Sequence, residues 1–237
     1  MRRRRVGGVF VLLILFVFQA PVRGGFEIRK SQLFLEDERF LIRGVVYGNT
    51  PIGARWSDGP ELAGCLYARD FPLIAGMGAN TLRTRAIVSP EDSVFRRSLA
   101  DTRLYWLAGF PLDRFYDPER SLSPSTGLGR ALRGQILDEF QAFVEGWREE
   151  ERIIAFVFGD EVGRDYEEKF ASSPTDFYSL LRDAAEVLIG AQGGTALLTT
   201  TVAGAFQIGD FTLGTDDLSQ PGLAFWSVSG VGGGPLE

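Results

Sequence analysis

Two adjacent carboxylates, Asp160 and Glu161, follow Gly159 at the end of the apolar run Ile153-Ile154-Ala155-Phe156-Val157-Phe158. Such a run predicts a strand buried on both faces, as in a parallel sheet. A carboxyl group at the mouth of a buried strand loses hydration, which raises its pKa, and the neighbouring Asp160 charge acts in the same direction. Glu161 could then serve as a general acid near neutral pH, and a pair of carboxyl groups is the equipment of most glycosidases. The alternative at this point is a strand that ends in a solvated acidic turn.

The rest of the composition narrows the chemistry. The chain contains no histidine, which removes Ser-His-Asp and Cys-His catalysis and histidine-based zinc sites. Its one cysteine, Cys65, cannot form an intramolecular disulfide. No metal and no cofactor is expected. Gly127-Leu128-Gly129 and the Gly232 to Gly234 tail lack the strand-to-helix spacing of a dinucleotide or phosphate loop. Trp226 could stack on a sugar ring, although packing in the core is the commoner use of such a residue. Asp113 and Asp117, beside Phe115 and Tyr116, read as a solvated loop.

Residues 1–24 read as a targeting segment. Arg2 to Arg5 precede the apolar stretch Val6 to Ala20, which is short for a membrane span and suited to a secretory signal. An uncleaved membrane anchor is the other reading, and with either the chain is expected to be exported. Without this leader Lys+Arg falls from 25 to 20 against an unchanged 31 Asp+Glu, a net charge of −11. That balance argues against nucleic acid as a partner, and leaves membrane contact only through the leader. A neutral polysaccharide or oligosaccharide substrate is compatible with it.

The elements that would position Glu161 follow from periodicity. Phe26 to Phe40 reads as a hairpin with its turn at Glu36-Asp37-Glu38. Buried strands are predicted over 41–48, 80–87, 103–110, 153–158, 196–202 and 222–228. A helix is predicted over 61–75, with Leu62, Leu66, Phe71 and Ile74 on its apolar side. A connection over 121–129 leads to a second helix with the stripe Leu132, Ile136, Phe140, Phe143, Val144 and Trp147. Ser173-Pro174-Thr175-Asp176 has the form of a capping box and opens a third, whose buried side is Phe177, Leu180, Leu181, Ala184 and Leu188. Strand and helix alternation means an α/β fold with a parallel sheet. A (β/α)8 TIM-barrel type is favoured over a doubly wound sheet, because Tyr47, Arg83 and Glu161 fall at strand C-terminal ends, with Asp113 just beyond one. Six strands are two short of a full barrel, so either the reading frame is truncated, the favoured expectation, or the sheet closes in some other way, with residues 25–237 forming one partial barrel domain.

Four segments stand in order over roughly residues 40–165: Phe40-Leu41-Ile42-Arg43-Gly44-Val45-Val46-Tyr47, Cys65-Leu66-Tyr67-Ala68-Arg69-Asp70-Phe71-Pro72-Leu73, Asn80-Thr81-Leu82-Arg83 and Phe156-Val157-Phe158-Gly159-Asp160-Glu161-Val162. Together they resemble the clan of retaining glycoside hydrolases built on (β/α)8 barrels, most closely the β-1,3-glucanosyltransferases of glycoside hydrolase family 72, with family 2 barrel domains next. The first resembles that group's first strand, and the second its Cys-x-x-Asp-Ile-Pro helix. The third resembles its Asn-Thr-Ile-Arg strand, and the fourth Phe-Phe-x-Gly-Asn-Glu-Val. The resemblance implies that Glu161 is the acid/base. It also implies a substrate-binding set in which Arg83 organises the carboxylates beside Asn80, Tyr47 lines the sugar subsite, and Asp160 faces the sugar 2-hydroxyl.

Three departures qualify what is implied. Asp160 stands where the family has asparagine, so when ionised it cannot donate a hydrogen bond. The family's nucleophilic glutamate ends a seventh strand that this sequence does not display, and Glu237, after a glycine-rich tail, is no substitute. Cys65 matches a half-cystine without a partner. A glycan-binding relative without turnover is therefore the alternative to an enzyme, and a membrane-tethered structural domain is a third possibility.

Overall fold

The computed structural model describes residues 25–29, 32–48, 63–159, 170, 173–192, 196–203 and 223–229. Its first element is the expected hairpin, extended to three antiparallel strands: β1 (Phe26–Arg29), β2 (Gln32–Leu35) and β3 (Glu38–Arg39). The turn between β2 and β3 places Glu36 and Asp37 at φ 48° and 70°. The main sheet is β4 (Gly44–Tyr47), β5 (Thr81–Thr84), β6 (Tyr105–Phe110), β7 (Ile153–Phe158), β8 (Leu197–Ala203) and β9 (Leu223–Ser229), all parallel and ordered as in the sequence. Strictly sequential order has no reversal point, which separates this sheet from a doubly wound one and matches the barrel type. These are the six strands expected from the sequence.

Four helices among the described residues run between the strands: α1 (Ala63–Gly76), α2 (Ser93–Thr102), α3 (Gly127–Gly146) and α4 (Pro174–Gln192). One face of the sheet packs on them. Leu82, Trp106, Ala108, Phe110, Phe156, Phe158 and Leu198 are buried there with the helix residues Phe71, Phe95, Phe140, Phe143 and Phe177. Trp106 makes edge-on contacts with Phe95 at 4.8 Å and Trp147 at 4.7 Å, each contributing about 0.5–1.5 kcal/mol beyond its buried area. The opposite face carries Leu107, Ala155 and Val157, with Phe26 of β1 against them. Phe26, Phe40 and Tyr105 form a triangle of edge-on rings 5.1–5.2 Å apart, which closes the N-terminal end of the sheet.

The helix α2 was not visible in the sequence pattern. Asp92 caps it, accepting hydrogen bonds from the backbone N–H of Val94 (3.1 Å) and Phe95 (2.9 Å), while Phe95 and Leu99 supply its buried apolar side. So few apolar residues give a weak periodic signal. The helix ends at Arg103 in the left-handed region (φ 56°), so the third strand starts at Tyr105 rather than at residue 103. The connection expected over 121–129 is shorter as well. Thr126 Oγ1 accepts from Gly129 N at 2.9 Å, so Gly127-Leu128-Gly129 forms the first turn of α3. Around α4 the capping box is reciprocal: Asp176 N donates to Ser173 Oγ at 3.3 Å, and Ser173 N to Asp176 Oδ2 at 3.2 Å.

The first main-sheet strand departs from the expected double burial. Among the described strands β4 pairs only with β5, and Val46 is 55% exposed. The expected leader, residues 1–24, lies outside the described residues.

Candidate active site at the strand C-terminal ends

The strand that leads to the carboxylates is held on both faces and at its end. Five of the six residues of β7 are buried. Phe158, fully buried, stacks on Phe110 of β6 with ring centroids 5.7 Å apart and planes 8° from parallel. Gly159 N then donates to Phe110 O at 2.9 Å. Gly159 has φ 81°, a left-handed conformation that glycine adopts without steric cost, and it turns the chain off the strand. Asp160 and Glu161 come next and lie outside the described residues. The chain is anchored again at Phe170, which is fully buried, bridges Asp117 in parallel fashion and meets Tyr116 edge-on at 4.9 Å. Asp117 therefore belongs to a loop fixed to the β7–α4 connection rather than to a freely solvated one, whereas Asp113 is exposed in a short 3-10 turn, as expected.

Register assigns the other candidates to faces. Val46, Arg83, Leu107, Ala155 and Leu197 are consecutive partners across five strands. This row faces away from the helices, so Arg83, only 8% exposed, lies on the inward side near the end of β5. Tyr47 pairs with Thr84 in the next row, on the helix side. Its ring packs against Phe71 (5.4 Å, edge-on) and Tyr67 (6.0 Å) of α1, and its hydroxyl donates to Asp70 Oδ2 at 3.0 Å. The expectation that Tyr47 lines a sugar subsite is thus corrected: a residue in the row after Val46 points into the helix layer.

Asn80 is corrected too. It precedes β5, at the opposite end from the carboxylates. Its side-chain oxygen accepts from Arg43 N (2.8 Å) and Thr81 Oγ1 (2.9 Å), while its Nδ2 donates to Leu41 O (2.9 Å). These bonds tie the entry of β4 to the entry of β5, and in a barrel of this type that end reads as stability. Trp226 pairs with Thr200 and Phe225 with Thr199 in the register of β8 with β9.

Two residues at the strand ends escaped sequence reasoning. Thr84 Oγ1 accepts from Gly109 N at 3.2 Å and Trp106 Nε1 at 3.1 Å. Gly109 passes so close to β5 that a Cβ there would lie 2.0 Å from Thr84 O. A glycine inside an apolar strand signals such an approach, but nothing in the sequence names its partner. A described cleft of about 740 Å3, lined by Glu27, Arg29, Tyr105, Glu149, Glu151 and Arg152, opens at the N-terminal end, away from Gly159.

The electrostatics around Tyr47 are structural. Burial, reinforced by the bond to Asp70, holds the Tyr47 phenol above its ordinary value. The Arg69 guanidinium, hydrogen-bonded to Asp70, holds that carboxyl below the usual aspartate range, and the Tyr47 hydroxyl acts in the same direction.

Comparison with known proteins adds the fold. No family model and no curated protein sequence matches this chain. Among solved structures, Gas2p of Saccharomyces cerevisiae in complex with laminaritriose and laminaritetraose superposes with a TM-score of 0.59 at 17% identity. The match covers 87% of this chain and 46% of Gas2p. A β-D-glucuronidase of Dictyoglomus thermophilum gives a TM-score of 0.51 at 15% identity, over 76% of this chain and 29% of the enzyme. This chain has their barrel fold. It spans less than half the length of either protein, and at these identities the likeness extends to the fold alone. The fold expected from the family 72 and family 2 resemblance is therefore the fold found.

Two outcomes follow from this geometry. Asn80→Ala should lower unfolding free energy by about 0.5–1.5 kcal/mol, since it removes side-chain hydrogen bonds to the largely exposed Leu41–Arg43 backbone; an unchanged urea midpoint would contradict the clamp. Because folding raises the Tyr47 pKa, its contribution is complete below the ordinary tyrosine value near 10 and is lost as pH rises beyond it. Because folding lowers the Asp70 pKa, its contribution is present above the ordinary aspartate value near 3.8 and fades as pH falls through the folded one. Thermal melts of Tyr47→Phe should therefore show a flatter alkaline decline above pH ~10 than the wild type.

Proposed function

We propose that this chain is a glycoside hydrolase or transglycosylase-like domain acting on β-linked glucan or a similar polysaccharide, with Glu161 as acid/base. The observation that carries the reading is the end of β7: a doubly buried parallel strand, fixed by the Phe110 stack and the Gly159 hydrogen bond, that runs directly into Asp160-Glu161. A barrel fold places reacting groups at this end. The laminari-oligosaccharides bound by Gas2p support a β-glucan as the substrate class to try first.

In this reading Glu161 protonates the glycosidic oxygen, then takes a proton from water or from an acceptor hydroxyl in the second step. Retention of configuration needs a second carboxylate about 5–5.5 Å away as nucleophile, and no described residue is assigned that role. Arg83, buried on the inward row, would pair with carboxylates that face it. Asp160 and Trp226 remain proposed substrate contacts. Export belongs to the same proposal: a mature N-terminus near Gly25 would support it, and an intact Met1 in an intracellular fraction would count against it. Among the described residues no helix is long and apolar enough to cross a membrane.

The second reading, a glycan-binding relative without turnover, is favoured by Asp160, which stands where the resembled family carries asparagine. Glu161→Gln separates the two. On laminari-oligosaccharides the variant should lose about 10²–10⁴-fold in kcat/KM with its circular dichroism and melting temperature intact. Turnover at the wild-type level would reject Glu161 as the acid, and oligosaccharide binding without wild-type turnover would select the second reading. Removing the neighbouring charge with Asp160→Asn should shift the basic limb of the pH profile to lower pH, because a like charge raises the pKa of the acid it faces.

A further inference from the structure

The ladder between β5 and β6 ends at the pair Arg83–Leu107. Above it the Thr84 side chain takes over, its hydroxyl oxygen accepting from Gly109 N and from Trp106 Nε1. A hydroxyl oxygen has two acceptor lone pairs, and both are occupied here. Trp106 is fully buried, so its N–H is a fixed donor rather than a mobile one. One residue beyond Gly109, Phe110 O receives Gly159 N and the Phe110 ring stacks on Phe158. Three strand ends are thus joined in series, from Thr84 to Gly109 and from Phe110 to Gly159.

We propose that Thr84 is a positioning residue: its hydroxyl fixes the end of β6, and through it the point from which the Asp160-Glu161 pair leaves β7, relative to the adjacent Arg83. The catalytic consequence rests on the functional reading above; the mechanical link does not. Thr84 is 3% exposed, and valine matches its shape without the acceptor, so Thr84→Val isolates the hydrogen bonds from the packing.

The test uses the full chain and the variants Thr84→Val and Thr84→Ser, with amide hydrogen exchange at Gly159, the Trp106 indole resonance, and kcat and KM on laminari-oligosaccharides. Thr84→Val should accelerate Gly159 exchange about tenfold while leaving Leu181 in α4 at the wild-type rate, and should lower kcat about tenfold with KM little changed. Thr84→Ser, which restores the acceptor, should recover both. Unchanged Gly159 exchange in Thr84→Val overturns the proposal. So does equal acceleration at Gly159 and Leu181, or a serine variant no better than valine. Should the valine variant not fold, Thr84→Cys, of similar size with a weak acceptor, is read by the same criteria. A wild-type chain that turns over no glycan refutes the functional reading, and Gly159 exchange still decides the link.

Discussion

Burial of β6 and β7 on both faces governs the molecule. A parallel strand covered on one side by helices and on the other by the barrel interior must pair every backbone N–H and C=O within the sheet, since no water reaches it. Its side chains are then apolar by necessity, as in Trp106, Ala108 and Phe110 or Ile154, Phe156 and Phe158. Polar chemistry is displaced to the strand ends, where the ladder stops and backbone groups need other partners. Gly159 N on Phe110 O and Gly109 N on Thr84 Oγ1 are two points, among the described residues, at which this sheet solves that problem.

The two ends of the sheet are put to different uses. At the N-terminal end the hairpin β1–β3 packs Phe26 and Phe40 on Tyr105, and Asn80 stitches the entries of β4 and β5 together. At the other end a glycine with positive φ releases the chain into a carboxylate pair, and the buried Phe170 receives it again. A barrel can afford variable, chemically active loops at one end because the other is closed by packing and hydrogen bonds.

The helix layer explains why neighbouring residues have unlike roles. Arg83 and Thr84 are adjacent, yet Arg83 faces inward and Thr84 reaches Trp106 on the helix side. Val46 and Tyr47 divide in the same way, and Tyr47 gives its hydroxyl to Asp70 of α1. Arg133, buried in α3, donates to Leu122 O and Asp176 O and pairs with Asp183, so it locks α3 to the start of α4. Buried charge in this layer serves packing.

The sequence by itself determined the six parallel strands, three of the four described helices and the strand that ends at Gly159, because each is written in local periodicity and capping chemistry. Ser173 and Asp176 announce α4 within four residues, and the reciprocal bonds between them follow from their spacing alone. Only the tertiary structure decided what each strand-end side chain touches. A period of two says that Val46 and Tyr47 face opposite ways, as do Arg83 and Thr84, but which parity faces inward depends on register with partners 37 residues away in the chain. Asn80 looked like part of a site because it precedes Arg83, yet the 80–83 stretch runs from the N-terminal end of the sheet, which Asn80 ties together, towards the C-terminal one. The Thr84–Gly109 contact spans 25 positions and leaves no local trace except a glycine in an apolar strand. Long-range register carries that information, and no window along a single chain contains it.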